Sequence, residues 1–227
     1  MKRVVITGMG IYSCLGKNLD EVKESLYKGA SGIVYDEKRK EFGYRSCLTG
    51  MVEEPDLKDL LTRRQRLSLG EEGAYAYVAT LEALKNAGIS QEYLDNNEVG
   101  VLYGNDSTAK SVIESIDKLR EKKDTTLVGS GAIFKAMNSS VTMNLSTIFK
   151  LTGINFTVSA ACASGSHAIG IAYQLIKSGL QDCIICGGTQ EINELAMGSF
   201  DGLGVFSVKD VTPGTASRPF DKSRDGL

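Results

Sequence analysis

The stretch VSAACASGSH, residues 158–167, sets one cysteine among small residues. A β-type run, INFTV, leads into it, and a helix-like segment follows. Cys162 therefore falls at a strand-to-helix corner. Two roles are open to it. Free cysteines commonly serve as small buried hydrophobes. The other role is that of a nucleophile. A helix N-terminus carries partial positive charge from its unpaired N–H groups, and that charge favours thiolate over thiol. Ala, Ser and Gly neighbours let a carbonyl approach, and spare backbone N–H groups can stabilise its oxyanion. His167, the chain's single histidine, follows by five residues. That step turns a helix ~500°, or ~140° from the starting direction. His167 is thus poorly placed to be the base for Cys162, and is expected to be a buried, hydrogen-bonded structural residue.

Three other patterns imitate chemistry. VVITGMGIYSCLG places Gly8 and Gly10 after a strand-like run, but the third glycine of a dinucleotide fingerprint would fall at Ser13. A tight turn beside the sheet is the reading that remains. In CIIC, Cys183 and Cys186 are three apart. On a strand they point to opposite faces, so they form neither a disulfide nor a shared metal site and belong to the core. RRQR holds Arg63, Arg64 and Arg66 at the start of a long helical pattern. It is either a solvated face or a docking patch for an acidic partner, which Arg45 and the Lys122–Lys123 pair would extend.

The elements that must position these residues follow from periodicity. Strand-like runs are Arg3–Thr7, Val99–Tyr103, Ile154–Ser159 and Asp182–Cys186. Helical patterns are expected at Asn18–Lys28 with an Asn cap, Arg64–Ala87 stopped by Gly88, Gly131–Leu151, and Ser164–Ser178 stopped by Gly179. This alternation implies an α/β fold with a mostly parallel sheet covered by helices. In the run at 154–159, apolar Ile154, Phe156 and Val158 alternate with polar residues, giving two unlike faces. No linker or repeat marks a domain boundary.

Composition agrees with a globular protein: 42% hydrophobic, 24% charged and a net charge of −2 over 227 residues. Near-neutral charge argues against general nucleic-acid binding. No apolar run approaches the ~20 residues of a membrane span, and the N-terminal apolar stretch is too short for a secretory signal. Five cysteines without regular spacing fit a reducing cytoplasm.

Four segments together resemble the β-ketoacyl–acyl carrier protein synthases, the decarboxylating condensing enzymes of fatty acid and polyketide synthesis. SAACASGSHAIG at 159–170 resembles the family's nucleophile segment, and KRVVITGMGIYSCLG at 2–16 its first strand and turn. DCIICGGTQEI at 182–192 resembles the strand after the nucleophile helix, and ASRPFDKSRDGL at 216–227 an RPFD…RDGF signature. The likeness is greatest to the free-standing elongating synthases of bacterial type II fatty acid synthesis. It implies a thiolase-like layered fold built from two similar halves, of which residues 1–227 form the N-terminal one, incomplete by its last strand.

The resemblance also implies roles. Cys162 accepts an acyl group from a carrier-protein phosphopantetheine thioester, and the carbanion from malonyl-carrier protein then attacks it. Arg63 and Arg64, with Arg45, match positions that meet acyl carrier protein. Met137, Ser199 and Phe200 match positions lining the acyl pocket, with ordinary core as the other reading of Met137 and Phe200. The strand at 154–159 pairs with its copy in a homodimer. No cofactor or metal is implied beyond the carrier's own phosphopantetheine. The family's two further histidines and its lysine lie in segments that do not occur here, so the chain alone is expected not to condense. Two rivals remain: a non-catalytic partner subunit resembling a condensing enzyme, and a thiolase-like enzyme using coenzyme A thioesters.

Overall fold

The structure, a computed structural model, describes residues 2–227. In chain order its elements are α1 (Leu19–Lys28), β1 (Ile33–Tyr35), α2 (Glu37–Glu41), β2 (Leu48–Gly50), α3 (Arg63–Ser68), α4 (Glu71–Ala87) and α5 (Gln91–Asn96). They continue with β3 (Val99–Gly104), α6 (Ala109–Lys122), α7 (Ala132–Lys135), α8 (Ser140–Phe149), β4 (Asn155–Val158), α9 (Ser164–Ser178), β5 (Cys183–Gly188) and α10 (Glu194–Leu203). The chain divides into two compact units, one of residues 2–10 with Glu54–Glu191, the other of Ile11–Glu53 with Ile192–Leu227. Each unit is made of two stretches of chain, so no single cut in the sequence separates them.

The first unit is built on a parallel sheet of order β4-β3-β5. Every residue of the middle strand, VGVLYG, is buried, as expected of a strand covered on both faces. On one face Val99, Val101 and Tyr103 pack with Tyr77 and Leu84 of α4 and with Val141, Leu145 and Phe149 of α8. On the other, Leu102, Ile184 and Val158 pack with Ala168 and Ala172 of α9. Cys183 joins the first cluster and Cys186 the second, so the pair does lie on opposite faces. Burial pushes both thiols up from their ordinary range.

Local signals fixed several helix ends. The Asn18 side chain accepts from the Glu21 N–H at 2.9 Å and caps α1. Gly88 and Gly179 close α4 and α9 with φ of +68° and +82°, backbone values that other residues rarely adopt.

Three expectations need correction. Residues 3–7 form no strand: Val5 and Ile6 are 61% and 78% exposed, and none of the described strands runs beside them. β-Branched residues favour a strand only where a partner supplies the ladder. The segment instead follows α4, where Met9 N–H donates to Asn86 Oδ1 at 3.0 Å. A Cβ on Gly8 would collide with Ala83 and Ala87 of α4, and one on Gly10 with Ala79 and Ala83. These two glycines therefore serve close packing. The pattern over 64–87 is two helices, not one, because Leu69 and Gly70 are extended between α3 and α4. The pattern over 131–151 likewise breaks at 136–139, between α7 and α8.

In the second unit, β1 and β2 pair antiparallel. Buried Arg39 holds this unit together. Its guanidinium donates to Leu48 O at 2.5 Å and Thr49 Oγ1 at 3.0 Å, and lies 5.3 Å and 5.5 Å from the Tyr44 and Phe206 ring centres. Asp201 of α10 accepts from the Arg45 and Ser46 N–H groups at 2.8 and 2.9 Å. Among the described residues no helix is long and apolar enough to cross a membrane.

Candidate active site

The parallel sheet sends the ends of β3, β4 and β5 to one edge, where open α/β sheets usually bind ligands. β4 ends at Val158, and four residues later comes Cys162, immediately before Ala163, the N-cap of α9. Of the five cysteines, Cys162 is the exposed one; Cys47 is buried and Cys14, Cys183 and Cys186 are half-buried. The role of a small buried hydrophobe is thereby removed for Cys162.

The corner is tightly specified. Ala161 has φ +48°, a left-handed conformation that costs an L-residue ~1–2 kcal/mol. Such a conformation persists only where its surroundings enforce it. Here Ala163 N–H donates to Ala160 O and Ser164 N–H to Ala161 O, both at 3.1 Å. The buried Ser164 hydroxyl donates to Ala161 O at 2.7 Å and accepts from the Ala160 N–H at 2.8 Å. Glycines make room for the helix start: a Cβ on Gly104 would collide with Ser164 and Gly165, and one on Gly188 would lie 2.8 Å from the Gly165 Cα. The first turn of α9 thus rests directly on the ends of β3 and β5. Just before the corner, the Ser159 hydroxyl donates to Asp106, which follows β3.

His167 corrects the sequence reading. It is exposed on α9, whereas Ala168 and Ala172 turn toward the sheet and are 0% and 2% exposed. It lies in an open groove of about 630 Å³ lined by Ser166, Gly170, Ile171 and Gln174 among others.

The remaining candidates scatter. Arg63 and Arg64 are exposed at the start of α3, whose N-terminus is fixed by a reciprocal pair: Gln65 N–H donates to the Thr62 hydroxyl and Thr62 N–H to the Gln65 side chain. Arg66 is spent internally, donating to Leu61 O at 2.5 Å and Lys58 O at 3.0 Å. Met137 is half-buried in the break between α7 and α8 of the first unit. Ser199, Phe200 and Arg45 belong to the second unit and are exposed there. Phe200 is 42% exposed and lies 6.2 Å from the Phe206 ring, so it is not ordinary core.

Sequence reasoning missed two buried carboxyls in the first unit. Glu191, 1% exposed, follows β5 and accepts from the Ser107 hydroxyl at 2.6 Å and from the Ala109 and Lys110 N–H groups at the start of α6. Glu72 of α4 is 2% exposed. The second was detectable, because Glu72 precedes buried Ala76 and Thr80 by four and eight residues and so shares their helix face. Burial raises its carboxyl to about 7, with Glu191 and Glu71 pushing in the same direction.

A parallel α/β sheet with an exposed cysteine on a strained strand-to-helix corner defines a protein built to present a thiol at the sheet's carboxyl edge. Residues 1–227 match the family model described as Beta-ketoacyl synthase, N-terminal domain, and the chain belongs to that family. It is 38% identical over 231 residues to 3-oxoacyl-[acyl-carrier-protein] synthase 1 of Buchnera aphidicola subsp. Schizaphis graminum, covering 100% of this chain and 56% of that protein. A β-ketoacyl synthase from Burkholderia phymatum superposes with a TM-score of 0.91 at 33% identity, again over 100% of this chain and 56% of the other. A type II polyketide ketosynthase in complex with its acyl-carrier protein shares the fold, with a TM-score of 0.82 at 24% identity over 100% of this chain and 55% of that one. The chain thus spans about half the length of the relatives it matches.

Proposed function

We propose that Cys162 is the acyl acceptor of a decarboxylating condensing enzyme acting in fatty acid or polyketide chain elongation. The observation that carries this reading is the exposure of Cys162 on a corner fixed by hydrogen bonds, directly before α9. The Cys162 sulfur attacks the carbonyl carbon of an acyl thioester. The carbon–sulfur bond to the carrier's phosphopantetheine breaks, and the departing thiolate takes up a proton. Malonyl-carrier protein then loses carbon dioxide, leaving its electron pair on the α-carbon. That carbon attacks the acyl carbonyl, and the Cys162 sulfur departs as thiolate.

The first of these two half-reactions has its nucleophile in this chain. The second is assigned, through the family resemblance, to two histidines and a lysine. His167 is the only histidine here and is exposed on α9, so the proposal assigns these residues the acyl-acceptor step and not condensation. Acyl carrier protein is the proposed partner, meeting exposed Arg63 and Arg64 on α3. The fold neighbour complexed with its acyl-carrier protein supports that choice. The assignments of Met137, Ser199, Phe200 and Arg45 rest on the resemblance alone. A cytoplasmic location, where thiols stay reduced, suits an exposed reactive cysteine.

The test is condensation of an acyl-carrier protein with malonyl-carrier protein by the intact enzyme. Cys162→Ala is expected to abolish it, and acyl-coenzyme A to substitute poorly for the acyl-carrier protein. Full activity in Cys162→Ala would overturn the proposal. A clear preference for coenzyme A thioesters would favour the thiolase-like alternative.

A further inference from the structure

We propose that the first turn of α4 is a pH-sensitive joint, closed while the Glu72 carboxyl is neutral and loosened when it is charged beside the buried Glu191. Leu69 and Gly70 form an extended connection between α3 and α4, and Glu72 lies two residues beyond it. The Glu72 carboxyl folds back over this connection. A Cβ on Gly70 would come within 2.5 and 2.6 Å of its two oxygens, so a larger residue there would displace the carboxyl. Glu72 Oε1 is buried with no hydrogen-bond partner among the described residues. The turn is also tied across the unit, because the Thr189 hydroxyl donates to Glu72 O at 2.8 Å.

The charged groups that face Glu72 come from three elements: Glu191 after β5, Glu71 on α4 itself, and Lys135 on α7. Two carboxylates thus oppose one ammonium. The Glu191 carboxylate already serves the start of α6 through Ser107, Ala109 and Lys110. Two influences favour the charged form of Glu72: its own backbone N–H at the helix N-terminus and, more weakly, the Lys135 ammonium. Loss of hydration outweighs both and pushes the carboxyl up to about 7. Ionisation then places an unsolvated charge against Glu191, and the cheapest relief is for residues 69–72 to open toward water.

Amide hydrogen exchange of the intact protein tests this at about pH 5.5 and about pH 8.5, with rates corrected for intrinsic chemistry. Protection of the Gly70–Tyr75 amides is expected to fall about tenfold at the higher pH. Glu72→Gln, which cannot ionise, is expected to keep the same protection at both. An unchanged wild type, or an equal fall in Glu72→Gln, would overturn the proposal. Isotope-edited infrared spectroscopy of the unmodified protein needs no variant. A buried neutral carboxyl band is expected at about pH 5.5 and its loss at about pH 8.5; absence of the band at the lower pH would equally overturn it.

Discussion

Cys162 and Glu72, both in the first unit, stand in opposite relations to water. Cys162 is exposed because Ser164 and the left-handed Ala161 turn the chain outward just before α9. Removing the Ser164 hydroxyl leaves the Ala160 N–H without its acceptor inside a tight turn. Ser164→Ala is therefore expected to cost ~1–3 kcal/mol in unfolding free energy and to lower the rate of Cys162 modification, measured by denaturant titration and by alkylation kinetics. Glu72 makes the opposite prediction. Its carboxyl is raised to about 7 in the folded protein, from an ordinary value of 4.5. Between those values the unfolded chain has lost the proton and the folded protein keeps it, so stability falls as pH rises through that window and then levels off. The penalty is fully present above about pH 7 and amounts to roughly 3 kcal/mol. Glu72→Gln is expected to recover much of it at about pH 8 and none at about pH 4; denaturation midpoints at the two pH values check this.

At the scale of elements, the sequence was most legible where one or two residues decide the outcome. Asn18 starts α1, Gly88 and Gly179 stop α4 and α9, and the small residues around Cys162 mark the corner. Val112, Ile116 and Leu119 are also spaced for one face of a helix, that of α6. Other features depend on distant chain. RVVIT has strand composition but lacks a neighbouring strand among the described residues. Leu69 and Gly70 are extended and interrupt a helical pattern, and Glu72, whose carboxyl lies against Gly70, meets Glu191 only through tertiary packing. His167 looked structural in sequence, yet the helix rotation that buries Ala168 turns it outward. On α3, Arg63 and Arg64 are exposed and Arg66 is held by Lys58 and Leu61 carbonyls. Reversing charge at Arg63 and Arg64 together is expected to weaken acyl carrier protein binding by the intact enzyme about tenfold or more at low salt, and much less at high salt. Binding isotherms at two ionic strengths check this.

At the scale of the whole molecule, β4 pairs only with β3 among the described residues and so is one of the sheet's two edge strands. Phe156 is 40% exposed on that strand, and a groove of about 700 Å³ runs beside it, lined by Met143, Thr142 and Asn138 among others. Open edges of this kind invite pairing with another chain. A homodimer formed by two copies of β4 is the proposed outcome, and Phe156→Asp is expected to shift the intact protein toward monomer in sedimentation experiments. The chain covers 56% of its curated relative, and acyl transfer to Cys162 is the proposed step that can be tested on these residues. Incubation of the intact protein with an acyl-carrier protein, followed by intact mass measurement and peptide mapping, tests that step most directly. One acyl group per chain, confined to the peptide containing Cys162 and absent in Cys162→Ala, is the predicted result. An unacylated Cys162, or acyl groups spread over the other four cysteines, would contradict it.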